Sequence, residues 1–143
     1  MISASHNDEK WNALKLLNSN GEFLHPEEVQ KVIKEKKRTQ SNKEKPGNLS
    51  SYANALDDHI NLILSQNFIN KNNIASKSIA VAVDGINSVG GVAIPKFLES
   101  LGIKKIKKIN CNPDGNFNHN PEHIHENITD ICSEIKRGKY QLG

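Results

Sequence analysis

Residues 78–83, Ser-Ile-Ala-Val-Ala-Val, form a continuous β-branched and apolar run that stops on Asp84-Gly85. A strand with no polar alternation is one covered on both faces, and such strands belong to parallel sheets. Parallel neighbours cannot be joined by a tight turn; they need a crossover, usually a helix. The sequence supplies one: Gly90-Gly91 opens a stretch in which Val92, Ala93, Phe97, Leu98 and Leu101 recur at helical spacing, and Gly102 stops it. Ile103, Ile106 and Ile109 then make a further strand candidate, interspersed with four lysines. A last helix is expected from about Glu122 or Glu126 to Arg137, and residues 140–143 look like the start of another strand. Strand, helix, strand, helix is the order of an α/β layer built on a parallel sheet.

Upstream, residues 52–68 place Leu56, Ile60, Ile63, Leu64 and Phe68 three or four apart, which predicts a helix with one buried face. Before it, residues 39–50 hold Gln, Ser, Asn, Lys, Glu, Pro and Gly with almost nothing to bury. That composition reads as a linker and sets the expected boundary between a segment at 1–38 and a domain at 51–143. Within the first segment, Asn20-Gly21 between apolar stretches predicts a β-hairpin. Pro26, with Val29, Val32 and Ile33 behind it, predicts a short helix that fades into Lys36-Lys37-Arg38.

The charge balance selects no partner class: 19 Lys and Arg oppose 16 Asp and Glu, a formal net charge of +3. Residues 31–45 carry seven Lys or Arg against two Glu, but no aromatic residue interleaves them. A solvated helix end and linker therefore explains the run better than a nucleic-acid groove does. Cys111 and Cys132, far apart and without a CxxC pair, suit a reducing compartment. No basic-then-apolar leader opens the sequence, and its longest apolar run, 79–83, is far short of the ~20 residues that span a bilayer. A cytoplasmic protein with no membrane partner is expected.

Residues 3–7, Ser-Ala-Ser-His-Asn, resemble the phosphoserine loop of the phosphohexose mutases, the family of phosphoglucosamine mutase, phosphomannomutase and phosphoglucomutase. Asn12-Ala13-Leu14-Lys15 sits at the spacing of that family's Asn-Gly-x-Lys segment, and residues 11–24 look closest to its phosphoglucosamine mutase branch. Residues 82–91 resemble the family's strand, Asp and turn before a helix; residues 112–117, Asn-Pro-Asp-Gly-Asn-Phe, resemble its Pro-Asp-Gly-x-Phe run, and Asn120-Pro121-Glu122 with Glu126-Asn127 its Asn-Pro-Glu-Pro-x-x-Glu-Asn run. The sequence departs from the pattern at Asp8 and His123, where the family has proline, and at Ala13, where it has glycine.

The resemblance implies a three-layer α/β/α fold with a mixed, largely parallel sheet. It also implies an incomplete copy: the end of a first domain, then most of a second one that stops before an Asp-x-Asp-x-Asp magnesium loop. An internal fragment, inactive alone and with an unpaired sheet edge and exposed apolar surface, is the expectation. Its oligomeric state is left open. Phosphoryl transfer needs an oxygen to hold the phosphate and positive or donor groups to stabilise charge on the moving phosphoryl. By resemblance Ser5 is that oxygen and, through its phosphate, a ligand for Mg2+. Lys15 and His6 are implied catalytic groups, and Asn7 and Asn12 contacts to substrate or phosphate. The implied substrate is a hexose phosphate, by overall similarity glucosamine phosphate, with a hexose 1,6-bisphosphate as activator and intermediate. The segments of the second domain are assigned a shaping role only.

Two other readings compete with this one. A zinc site from His119, His123 and His125 fits no standard ligand spacing and has no cysteine partner. The turn after Val83 lacks both the Gly-x-Gly-x-x-Gly spacing and the Gly-Lys-Ser/Thr ending of nucleotide loops. A non-catalytic basic binding module or remnant domain is the alternative to a mutase origin.

Overall fold

A computed structural model describes residues 1–3, 6–7, 10–35 and 47–143. Ser5, most of the basic run and the expected linker up to residue 46 lie outside them. The described chain divides into two compact units, one made of residues 1–3, 10–35 and 47–51, the other of residues 6–7 and 52–143.

In the second unit the apolar run becomes strand β1 (Ala80–Asp84), whose first four residues are all buried. β1 pairs in parallel with β2 (Lys105–Ile109), in a register that runs from Ala80 opposite Lys105 to Asp84 opposite Ile109. Its other edge is also occupied: Val81 bridges Leu142 in parallel, the Ala82 amide donates to the Leu142 carbonyl at 2.8 Å, and the Gln141 amide donates to Ala80 O at 2.9 Å. β1 is therefore the central strand, which is why its sequence shows no alternation. β2 lies at an edge, where its lysines project into water and discourage pairing with another chain.

The crossover is helix α4 (Gly90–Ser100), which packs on both strands, while α5 (Thr129–Lys136) packs on β1. Val81, Val83, Leu101 and Ile103 form the buried core, with Phe97, Leu98, Leu64 and Ile69 packed around it. Each such side chain contributes about 1.5–3 kcal/mol by leaving water. Because Val81 and Val83 face α4, strand alternation turns Ala80 and Ala82 toward the opposite face, and the result is an α/β/α arrangement with a small sheet. α4 carries Pro95 within it, with its ring fully buried. It ends at Gly102 as the sequence predicts. Gly102 has φ +86°, its amide donates to Glu99 O at 2.9 Å, and the Ile103 amide donates to Leu98 O at 3.1 Å, a Schellman closure.

Three boundaries differ from the sequence reading. The helix expected over 52–68 is α2 (Ala55–Leu64), because Ser65 Oγ and Gln66 Nε2 both donate to the Leu62 carbonyl and end the ladder. Ile69 rather than Phe68 then packs on the core, and Phe68 stays 81% exposed. Helix α3 (Lys71–Ser76) follows, unforeseen. Asn70 caps it by accepting the Asn73 amide at 2.9 Å. Asn70→Ala should lower the unfolding free energy by about 1 kcal/mol; an unchanged urea midpoint would contradict the cap. The last helix starts only at Thr129, since Ile128 (φ −108°, ψ 24°) is not helical and separates it from a single 3-10 turn at His125–Asn127.

In the first unit the Asn-Gly turn forms as expected: Leu17 bridges Phe23 antiparallel, Gly21 has φ +80°, and Asn18 Oδ1 accepts the amides of Asn20 and Glu22. Helix α1 (Pro26–Glu35) buries none of its residues, and Val29, Val32 and Ile33 remain exposed. Among the described residues no helix is long and apolar enough to cross a membrane.

Candidate active site

Residues 1–3 and 13–15, on either side of most of the residues implied in phosphoryl transfer, are tied together. Ile2 and Leu14 form an antiparallel bridge, the Ser3 amide donates to Ala13 O at 3.0 Å, and the Lys15 amide donates to Met1 O at 2.8 Å. Residues 3 and 13 are thus neighbours, and the segment between them must leave and return to one point. Lys15 stands at the base of this closure, half-buried, its Nζ 5.8 Å from the centre of the Phe23 ring across the Asn-Gly turn. The ring face holds the ammonium group by cation–π attraction and restrains an otherwise mobile side chain. Asn12 is exposed, and its Oδ1 accepts the Ala13 amide at 3.0 Å, which orients the residue entering the closure. His6 and Asn7 are exposed and belong to the second unit.

The second unit holds a polar cluster to which the sequence reading assigns no catalytic role. Asp84, at the C-terminal end of β1, has a side chain 9% exposed. Its Oδ1 accepts the Ile86 amide at 3.0 Å, and its two oxygens face Asn110 Nδ2 at 3.2 and 3.3 Å. Oδ2 meets His119 Nε2 at 3.0 Å. Burial works to lower the basicity of His119, but the Asn120 carbonyl, the Asp84 hydrogen bond and the charges of Asp84 and Asp130 outweigh it and raise its pKa above the ordinary value. His119, whose spacing to His123 and His125 fits no standard zinc site, pairs with Asp84 instead. Only the Asp-Gly that follows the apolar run hints at the cluster, since a carboxylate at a buried strand end needs partners.

The turn leaving β1 is strained. Ile86 and Asn87 both lie in the left-handed region, with φ of 47° and 53°, as does Asn110 with φ 47°. A β-branched residue there costs about 1–2 kcal/mol. Hydrogen bonds offset it: the Asn87 amide donates to Asn110 O, Asn87 Nδ2 donates to Asn116 O at 2.9 Å, and the Asn112 amide donates to Asn87 Oδ1 at 3.3 Å.

Comparison with known proteins bears on both units. Residues 57–143 match the family described as phosphoglucomutase/phosphomannomutase, alpha/beta/alpha domain II, and residues 1–43 match its alpha/beta/alpha domain I. Over its whole length the chain is 31% identical to a probable phosphoglucosamine mutase of Methanococcoides burtonii and 30% identical to a phosphomannomutase/phosphoglucomutase of Pseudomonas aeruginosa. Over 95% of its length it is 34% identical to a phosphoglucosamine mutase of Methanococcus aeolicus. It spans 32%, 29% and 30% of those three proteins, in that order, so about a third of each. The matches cover both units, and the chain belongs to the phosphoglucomutase/phosphomannomutase family.

Proposed function

We propose that this chain supplies the phosphoryl carrier and the second domain of a phosphohexose mutase. The observation that supports this reading most is the closure of residues 1–3 on 13–15, with Lys15 at its base, in a chain of this family. In the proposed reaction the phosphoryl group on Ser5 passes to a free hydroxyl of a hexose phosphate. The Oγ–P bond breaks as the new O–P bond forms; Lys15 or His6 accepts the hydroxyl proton and delivers it to the departing Ser5 Oγ, which leaves as a hydroxyl. The hexose 1,6-bisphosphate so formed turns over and returns its other phosphate to Ser5, with the proton given back to the departing sugar oxygen. Asn7 and Asn12 would donate hydrogen bonds to phosphate oxygens. Glucosamine phosphate is the favoured substrate, on the likeness to phosphoglucosamine mutases.

Magnesium fits the described residues poorly. No three His, Cys, Asp or Glu side chains among them group where a cation could be held, and a hard cation needs several oxygen ligands. The contribution of this chain to such a site would be the phosphate on Ser5.

A chimera tests the reading: residues 1–143 replace the matching stretch of the Pseudomonas aeruginosa enzyme, and conversion of glucosamine, mannose and glucose 6-phosphates is followed. Conversion of at least one is expected. A folded chimera inert toward all three would overturn the proposal.

A further inference from the structure

Residues 111–120 leave the C-terminal end of β2 and fold back on the strained turn after β1, where Asn87 holds them at Asn112 and Asn116. Their far end is held by His119, whose side chain is 22% exposed. Both ring nitrogens of His119 face oxygen acceptors: Nε2 lies 3.0 Å from Asp84 Oδ2, and Nδ1 lies 3.0 Å from the Asn120 carbonyl oxygen. A carboxylate and a carbonyl can only accept. A neutral imidazole carries a single N–H, so in either tautomer one of the two contacts sets a lone pair against a lone pair. Only the imidazolium form satisfies both.

We infer that Asp84 and His119 form a proton-operated latch: the protonated ring pins the 111–120 segment to the end of β1, and loss of the proton, which leaves one of the two contacts without a donor, loosens it. The charged groups that reach the ring are the carboxylates of Asp84 on β1 and Asp130 on α5, both of which favour the closed form; Asn110, the neighbour after β2, is neutral. This inference is independent of the mutase reading, since it needs neither Ser5 nor a sugar.

The direction with pH follows from linkage. The pKa of His119 is raised in the folded chain, so the latch contributes fully below the unfolded value of about 6.5 and is lost as pH rises through the folded value. The test uses the whole chain. His119 is titrated by NMR, and amide exchange protection of Asn112, Gly115 and Asn116 is followed between about pH 5.5 and about pH 9. His119 should titrate above about 6.5, and protection of the three amides should fall across that same titration, by the ratio of its folded and unfolded acid constants. In His119→Gln the pH dependence of protection should vanish, whereas His123→Gln should keep it. A His119 that titrates at or below about 6.5, or protection that stays flat while it titrates, overturns the latch. If His119→Gln fails to fold, the wild-type titration and exchange data still decide.

Discussion

Gly91→Ala should lower the stability of the second unit by about 3 kcal/mol, while Gly90→Ala, one residue earlier in the same helix, should raise it by roughly 0.5 kcal/mol. The contrast comes from what stands beside each glycine. A Cβ on Gly91 would lie 2.6 Å from the Cα and 3.0 Å from the carbonyl carbon of Cys111, and a Cβ on Gly85 would lie 2.4 Å from the Cα of Gly91. These are backbone atoms in three successive layers, the end of β1, the start of α4 and the chain leaving β2. None can rotate aside as a side-chain tip would, so α4 must shift from the sheet and loosen Phe97 and Leu101 from Val81 and Val83. Nothing lies within 4 Å of a Cβ on Gly90, so alanine there gains helix propensity alone. Urea denaturation followed by circular dichroism separates the two variants. Equal midpoints would mean that α4 does not approach Cys111 as closely as described.

Ser5→Ala should cost the chimera about 1,000-fold or more in kcat, the scale of removing a covalent nucleophile from a group-transfer site. The loss should fall on kcat and leave KM nearly unchanged, since in the proposed reaction the hydroxyl carries the transferred group and does little to hold the sugar. Lys15→Ala should cost less, about 100-fold, as expected for one member of an acid–base or charge-stabilising set. Lys15→Arg keeps the charge but is not equivalent, because a guanidinium cannot release a proton near neutral pH. Partial recovery in Lys15→Arg would assign Lys15 to phosphate contact, and none would assign it to proton transfer. Steady-state rates with each variant decide both points.

Much of the second unit was legible because its signals are local. Residues 78–83 read as a strand covered on both faces, and the structure puts β1 between β2 and Leu142. Gly102 marked the end of α4 because only glycine takes φ +86° there without strain. The Asn-Gly turn was equally local. What escaped depends on residues distant in sequence. The spacing of Leu56, Ile60, Ile63 and Leu64 continues naturally to Phe68, and nothing in it says that Ser65 and Gln66 will turn their side chains onto Leu62 O and hand the buried position to Ile69. Likewise Asp84 and His119 stand 35 positions apart, and their meeting depends on the left-handed conformations of Asn87 and Asn110, which asparagine tolerates but does not by itself dictate. The active-site reading came from another source, the likeness of residues 3–7 and 12–15 to a family motif. The structure adds the closure that joins residue 3 to residue 13 and the seat of Lys15 on Phe23.

The central claim, that Ser5 carries the phosphoryl group, is tested most directly by locating that group. The folded chimera is incubated with hexose 1,6-bisphosphate and digested, and the peptide holding residues 3–7 is sequenced by mass spectrometry. The account predicts one phosphoryl group, on Ser5 and not on Ser3, absent from Ser5→Ala and discharged on addition of hexose monophosphate. A phosphoryl group on Ser3, or an active chimera with none on this peptide, would contradict it.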